Sequence, residues 1–296
     1  MSRLPNWIRL SLNTDAHFKH VHELVKGLSL HTVCESAKCP NRHECWNRGT
    51  ATLMLLGDVC TRSCGFCAIK AGRPEGLDLL EPKRVAAAAK SMELRHVVLT
   101  SVNRDDLPDG GAKIFAETIQ EIRAMLPQAS IEVLTPDFDG NMEALDMVLD
   151  ARPDVFNHNL ETVQRLQPII RPQASYGRSL SVLKRAAAWK PALAVKSGLM
   201  LGLGETDEEV VSAMADLHKA GVRLLTLGQY LQPTRNHPPV DRYPTPEQFE
   251  KLADTAKAMG FAGVASGPMV RSSYKADELL DAAKAARAPA TFAAAS

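Results

Sequence analysis

Residues 52–67 read TLMLLGDVCTRSCGFC: an apolar run, a Gly-Asp turn, then three cysteines within eight residues. TLMLLGD predicts a short buried strand, and the cysteine loop follows it directly. Outward from this stretch the chain keeps a strand–helix rhythm. EPKRVAAAAKSMEL (81–94) predicts a helix with Pro82 in its first turn, and HVVLTS (96–101) a strand. GAKIFAETIQEIRAM (111–125) and NMEALDMVLDA (141–151) are helical, with the strand IEVLTP (131–136) between them. The strand VFNHNL (155–160) is followed by helical TVQRLQ (162–167) and GRSLSVLKRAAAWK (177–190). LAVKSGLML (193–201) is a strand, and TDEEVVSAMADLHKAG (206–221) a helix closed by Gly221. LLTLGQY (224–230) is a strand, TPEQFEKLADTAKAMG (245–260) a helix with Thr245 as its N-cap, and FAGVASG (261–267) an irregular last strand.

Near-continuous apolar strands separated by helices predict a parallel sheet covered by helices. A doubly wound sheet would share this rhythm. Each strand ends in polar residues, however: Asp58, Thr100 and Ser101, Thr135, Asn157 to Asn159, Lys196 and Ser197, and Gln229. That pattern favours a barrel, whose active face lies at the C-terminal strand ends. The expected fold is therefore α/β, a partial (β/α)6 TIM-like barrel with N-terminal and C-terminal extensions. Residues 1–50 are read as an irregular arm carrying the first three cysteines, 51–270 as the barrel, and 271–296 as a C-terminal segment with RSSY and a flexible, Ala-rich tail.

The 296 residues are 45% hydrophobic and carry a net charge of +1, ordinary for a globular chain with a sizeable core. No basic run suggests a nucleic-acid groove, and no apolar run approaches the ~20 residues that span a bilayer. The polar N-terminus has no signal-peptide core, so a soluble cytoplasmic protein is expected. HFKHVH (17–22) holds three histidines and reads as a solvated amphipathic segment.

All six cysteines lie between Cys34 and Cys67. A disulfide framework suits small secreted chains; clustered cysteines here point to metal. Cys60, Cys64 and Cys67 are spaced x3 then x2. Three thiolates on so short a loop leave a tetrahedral zinc incomplete, but they suit three irons of a [4Fe–4S] cube, with the fourth iron open to a chelator. The amino and carboxylate groups of S-adenosylmethionine (SAM) fit that open position. Electron transfer into its sulfonium would release a 5′-deoxyadenosyl radical. Cys34, Cys39 and Cys45 form a second triad, spaced x4 then x5, with no free cysteine for a fourth ligand. A zinc site completed by His43 or His31 and a second cluster with a non-cysteine ligand both remain open from the residues alone.

HTVCESAKCPNRHECW (31–46) followed by GDVCTRSCGFCAI (57–69) closely resembles the lipoyl synthases of the radical SAM superfamily. The resemblance continues in VVLTSVNRDDLPDGGA (97–112), VLTPDFDG (133–140), NHNLETVQRLQ (157–167), KSGLMLGLGE (196–205), GQYLQPT (228–234) and GPMVRSSYKA (267–276). It implies two [4Fe–4S] clusters and SAM. It implies that Cys60, Cys64 and Cys67 hold the radical cluster, and that Cys34, Cys39 and Cys45 hold an auxiliary one. The auxiliary cluster's fourth ligand is then a serine of RSSY, Ser272 or Ser273, and Ser273 is taken. A serine oxygen suits iron less well than thiolate and should release it more readily.

The implied reaction inserts sulfur at carbons 6 and 8 of a protein-bound octanoyl-lysine, with the auxiliary cluster as donor. The implied partners are octanoylated carrier domains (2-oxoacid dehydrogenase E2 or glycine cleavage H protein), a ferredoxin or flavodoxin, and a cluster-repair protein. Phe66, Asn103, Arg104, Glu161, Arg171, Lys196 and Ser197 are the expected SAM contacts. The residues also allow blander roles: Asp105 and Asp106 as caps, Glu161 as the start of a helix, Arg171 as a surface ion pair. Lys196, if buried, must meet an anion. The rivals are a biotin-synthase-like sulfur inserter, an iron–sulfur carrier or scaffold, and a zinc-binding interaction protein.

Overall fold

The computed structural model describes residues 4–9, 15–47 and 51–287. Seven parallel strands follow one another in sequence order across a single sheet: Thr52–Leu55, His96–Ser101, Ser130–Leu134, Val155–Asn157, Ala194–Leu201, Leu224–Gln229 and Gly263–Gly267. The two-residue strand His31–Thr32 pairs antiparallel with the first of them. Among the described residues the two outer strands do not pair, so the barrel is open, as expected. The irregular last strand forms, parallel to Leu224–Gln229.

The connecting helices start where side-chain oxygens can satisfy their first N–H groups. Asn141 and Ser175 cap Met142–Asp150 and Tyr176–Trp189. Thr206 with Glu209, and Thr245 with Gln248, form reciprocal capping boxes. The aliphatic faces of these helices and the strands meet in one hydrophobic cluster that also takes in Val21, Val25 and Trp46 of the N-terminal segment.

Four expectations are corrected. Residues 15–47 are not irregular: Asp15 caps a helix at Ala16–Gly27, and short helices hold Val33–Ser36 and Arg42–Asn47. That first helix is not a free amphipathic segment. Val21 and Val25 are buried, the Phe18 ring stacks on His43, and Arg84 reaches the Leu28 carbonyl at 3.1 Å. TVQRLQ is not helical; the short helix there is Gln167–Ile170, with Pro168 in its first turn. Proline tolerates that place but breaks a helix interior, so no helix runs through 162–167 into it. The chain past Leu280 stays helical to Arg287, burying Leu279, Leu280 and Ala283. The tail from residue 288, and the arm's boundary at residue 50, lie outside the described residues.

Candidate functional site

The loop after the first parallel strand is shaped before any ligand enters. Val59–Cys60 pairs with Lys70–Ala71, closing the cysteine loop at its base. The Asn103 backbone N–H donates to the Cys60 sulfur at 3.3 Å, and its side-chain amide approaches the same atom at 3.7 Å. Gly65 N–H donates to the Ile170 carbonyl at 2.8 Å. His237 Nε2 donates to the Cys67 carbonyl at 2.9 Å, while its Nδ1 accepts from Thr234 at 2.8 Å. That pair fixes the imidazole tautomer. Arg62, between the first two cysteines, is buried in a fork: it meets Asp105 at 2.7 Å and Asp137 at 2.7 Å. Arg178 also reaches Asp137 at 3.4 Å, extending the network to the next helix.

The second triad forms on the short helices beside the first strand. Trp46 is fully buried there, and its indole nitrogen has no hydrogen-bond partner among the described residues. Two long-range bonds join this segment to the C-terminal one. Asn41 donates to the Met269 carbonyl at 2.6 Å, and Tyr274 donates to Glu44 at 2.8 Å. Ser272 and Ser273 therefore belong to a segment tied to the one that carries the second triad. The Arg271 guanidinium donates to the carbonyls of Val270 and Pro268 within its own segment, and Cys39 of the triad acts on its charge.

A cavity of about 1890 Å³ joins these parts, lined by all six cysteines and by Ser272 and Ser273. None of the six thiols is in a disulfide. Burial pushes the Cys67 thiol up to about 12 and Cys34 up to about 11, and raises Cys64 against the pull of Arg171. Such thiols stay protonated until a metal cation replaces the proton. Neither His43 nor His31 lines the cavity. Among the described residues no three His, Cys, Asp or Glu groups converge on a single-ion position. The donor set therefore suits a multi-iron cluster on each triad better than a zinc ion completed by histidine.

Across the cavity, Glu161 adopts a left-handed φ of 70° and bridges to Leu199, so it does not start a helix. Burial raises its carboxyl despite Arg171 and the Asn159 amide, which donates to it at 3.1 Å. Arg171 is buried, not a surface ion pair. Its Nη1 donates to the carbonyls of Asn159 at 3.1 Å and Leu160 at 3.3 Å, while its Nε has no partner among the described residues. The structure thus brings Phe66, Asn103, Glu161 and Arg171 to the cavity with both triads.

Three expected SAM contacts are not brought there. Arg104 pairs with Asp106 and the Gly76 carbonyl. Lys196 sits mid-strand, and its anion is Glu132, at 2.9 and 3.1 Å. Ser197 accepts from the Leu160 N–H. All three side chains are engaged by the protein, and none of them lines the cavity. Asp105 and Asp106 are ion-pair partners of Arg62 and Arg104 rather than helix caps. The turn GLGE is tight, as its glycines suggest: Gly202 has φ 104°, and Glu205 accepts from the N–H groups of Gly202 and Leu203. Sequence reasoning missed Arg62, Asp137, His237, Trp46 and Asn41. Only Arg62, a charged residue inside the cysteine loop, carried a local signal.

Two family models match, the radical SAM superfamily at residues 54–217 and the N-terminal domain of lipoyl synthase at residues 1–39. A lipoyl synthase of Rubrobacter xylanophilus is 56% identical over 95% of this chain and 87% of its own length. One from Chlorobium phaeovibrioides is 57% identical over 93% of this chain and 96% of its own. Among solved structures, Streptococcus suis SuiB bound to S-adenosylmethionine matches with a TM-score of 0.57 at 10% identity, covering 76% of this chain and 54% of that one. The FeFe-hydrogenase maturase HydG of Carboxydothermus hydrogenoformans matches at 0.54 and 15%, covering 77% and 65%. The last two support the fold alone; the family models and the sequence relatives give one assignment: the chain belongs to the lipoyl synthase family of the radical SAM superfamily.

Proposed function

We propose that this chain inserts two sulfur atoms at carbons 6 and 8 of an octanoyl-lysine on a carrier domain, with Cys34, Cys39, Cys45 and Ser273 holding the donor cluster. The observation that carries this reading is the single cavity that both cysteine triads and the RSSY serines line. When bound, the cluster on Cys60, Cys64 and Cys67 supplies the electron that cleaves SAM to its radical, and the auxiliary cluster supplies the sulfur.

The protein's own part is to bind, orient and exclude water. Met54, Val98, Leu134, Leu199 and Met200 give the cavity an aliphatic wall suited to an octanoyl chain. Glu161, half-buried at the cavity wall, suits the sulfonium or ribose hydroxyls of SAM, and Arg171, whose Nε has no partner among the described residues, suits the carboxylate. Asn103 holds the Cys60 sulfur in place. Ser273 is the better serine for iron, because Ser272 already accepts from Asn159, whereas among the described residues the Ser273 hydroxyl has no partner.

The reading implies a cytoplasmic enzyme served by a low-potential ferredoxin or flavodoxin and a cluster-repair protein. No described helix is long and apolar enough to cross a membrane. The test is anaerobic mass spectrometry of an octanoyl-lysine carrier peptide after incubation with reconstituted protein, SAM and dithionite. A mass gain for two sulfurs together with 5′-deoxyadenosine supports the reading. 5′-Deoxyadenosine with an unchanged peptide removes the substrate assignment.

A further inference from the structure

Asn159 stands between the two halves of the cavity. Its side-chain amide donates to Ser272 Oγ at 2.5 Å and to Glu161 Oε1 at 3.1 Å, using both of its hydrogens. Its backbone carbonyl is held by Arg171 at 3.1 Å. The residue is only 7% exposed, and its Oδ1 is buried without a partner among the described residues. The fifth parallel strand makes room for it. A Cβ at Gly198 would lie 3.0 Å from Asn159 Oδ1 and 2.5 Å from Thr226 Oγ1. The carboxamide is thus confined on its strand side, and its two acceptors come from different working parts: Glu161 from the SAM side, Ser272 from the segment over the second triad.

We propose that Asn159 is a positioning residue that couples the two sites, transmitting the placement of Glu161 to Ser272 and, through the next peptide bond, to Ser273. The inference rests on the proposed SAM contact of Glu161 and the proposed iron contact of Ser273. A ligand that fixes Glu161 fixes the amide, and the amide then holds RSSY over the auxiliary triad. Coupling between sites is reciprocal in binding free energy. An auxiliary site that is filled and holds Ser273 must therefore tighten SAM binding in turn. Arg271 makes no recorded hydrogen bond to Asn159 or Glu161; its guanidinium donates to carbonyls of its own segment.

The test is a double-mutant cycle on SAM affinity, measured by anaerobic equilibrium dialysis of reconstituted protein without reductant. Cys39→Ala removes the auxiliary cluster; Ser272→Ala removes the acceptor that Asn159 uses. The expected result is that Cys39→Ala weakens SAM binding by about fivefold or more when Ser272 is present. In the Ser272→Ala background the same change costs less than about twofold, the level of additive behaviour. Ser272→Thr, which keeps the hydroxyl, restores the coupling. Cys45→Ala serves as an independent removal of the auxiliary cluster and should give the same pattern. Equal losses in both backgrounds, or no loss in either, overturn the coupling while leaving the proposed function standing. Absence of SAM binding by the unsubstituted holoprotein overturns both.

Discussion

Replacing Lys196 with Met should destabilise the protein severely, and the cause lies inside the barrel rather than at its mouth. Lys196 and Glu132 are both 0% exposed. The ammonium meets both carboxylate oxygens, Asn157 donates to the same carboxylate at 3.0 Å, and His96 lies 3.6 Å away. Burial alone would raise the Glu132 carboxyl; Lys196 and His96 outweigh it and hold the group below the usual range. Without the lysine, the carboxylate is left buried beside one amide and one imidazole. Breaking a buried pair in this way costs about 3–5 kcal/mol. At roughly 2 °C per kcal/mol for a chain of this size, the melting temperature should fall by about 6–10 °C.

The sign of the pH dependence follows from proton uptake. In the variant the Glu132 carboxyl rises above its unfolded value of about 4.3, so the folded state binds the extra proton. The variant therefore recovers stability towards acid pH and loses it as pH rises through the raised value. A Lys196→Met, Glu132→Gln double variant should regain part of the loss at pH 8. Thermal melts followed by circular dichroism at pH 5.5 and pH 8 read all of this. A single variant within about 1 kcal/mol of the parent, or a double variant no better than the single, would refute the buried-pair account.

Two other residues carry sharp expectations. Arg62→Lys should lower stability by about 3 kcal/mol and reduce iron retained after gel filtration, because one ammonium cannot reproduce the fork to Asp105 and Asp137; denaturant melts and iron assays matching the parent would count against the clamp. Glu161→Gln should stabilise the ligand-free protein increasingly as pH rises, since burial raises this carboxyl and its ionised form is the costly one; a stability difference that stays constant from pH 5 to pH 8 would show that Glu161 is not destabilised by burial.

The strand–helix rhythm was readable because the strands are continuous apolar runs and the helices carry caps such as Thr245. Pro168 was readable too, as a residue that can sit in the first turn of a helix but not inside one, which fits a helix that starts at Gln167. The N-terminal helix was missed although Asp15 and the spacing of Val21 and Val25 mark it, because three histidines nearby suggested a solvated segment. Lys196 shows a different limit. That a buried lysine needs an anion was predictable, but the anion lies 64 residues away on another strand, and no local pattern points to it. The same holds for Asn41 and Met269, whose bond joins residues 228 apart and ties the RSSY segment to the one that carries the second triad. The cysteines were legible as two triads; their meeting in one cavity belongs to the fold.

The central claim is a division of labour between the two triads, and paired variants test it most directly. Reconstituted Cys64→Ala and Cys39→Ala proteins would be incubated anaerobically with SAM, dithionite and octanoyl-lysine peptide, and both 5′-deoxyadenosine and sulfur-containing peptide measured. The account predicts no 5′-deoxyadenosine from Cys64→Ala, and 5′-deoxyadenosine without lipoyl product from Cys39→Ala. Lipoyl product from Cys39→Ala, or 5′-deoxyadenosine from Cys64→Ala, would contradict it.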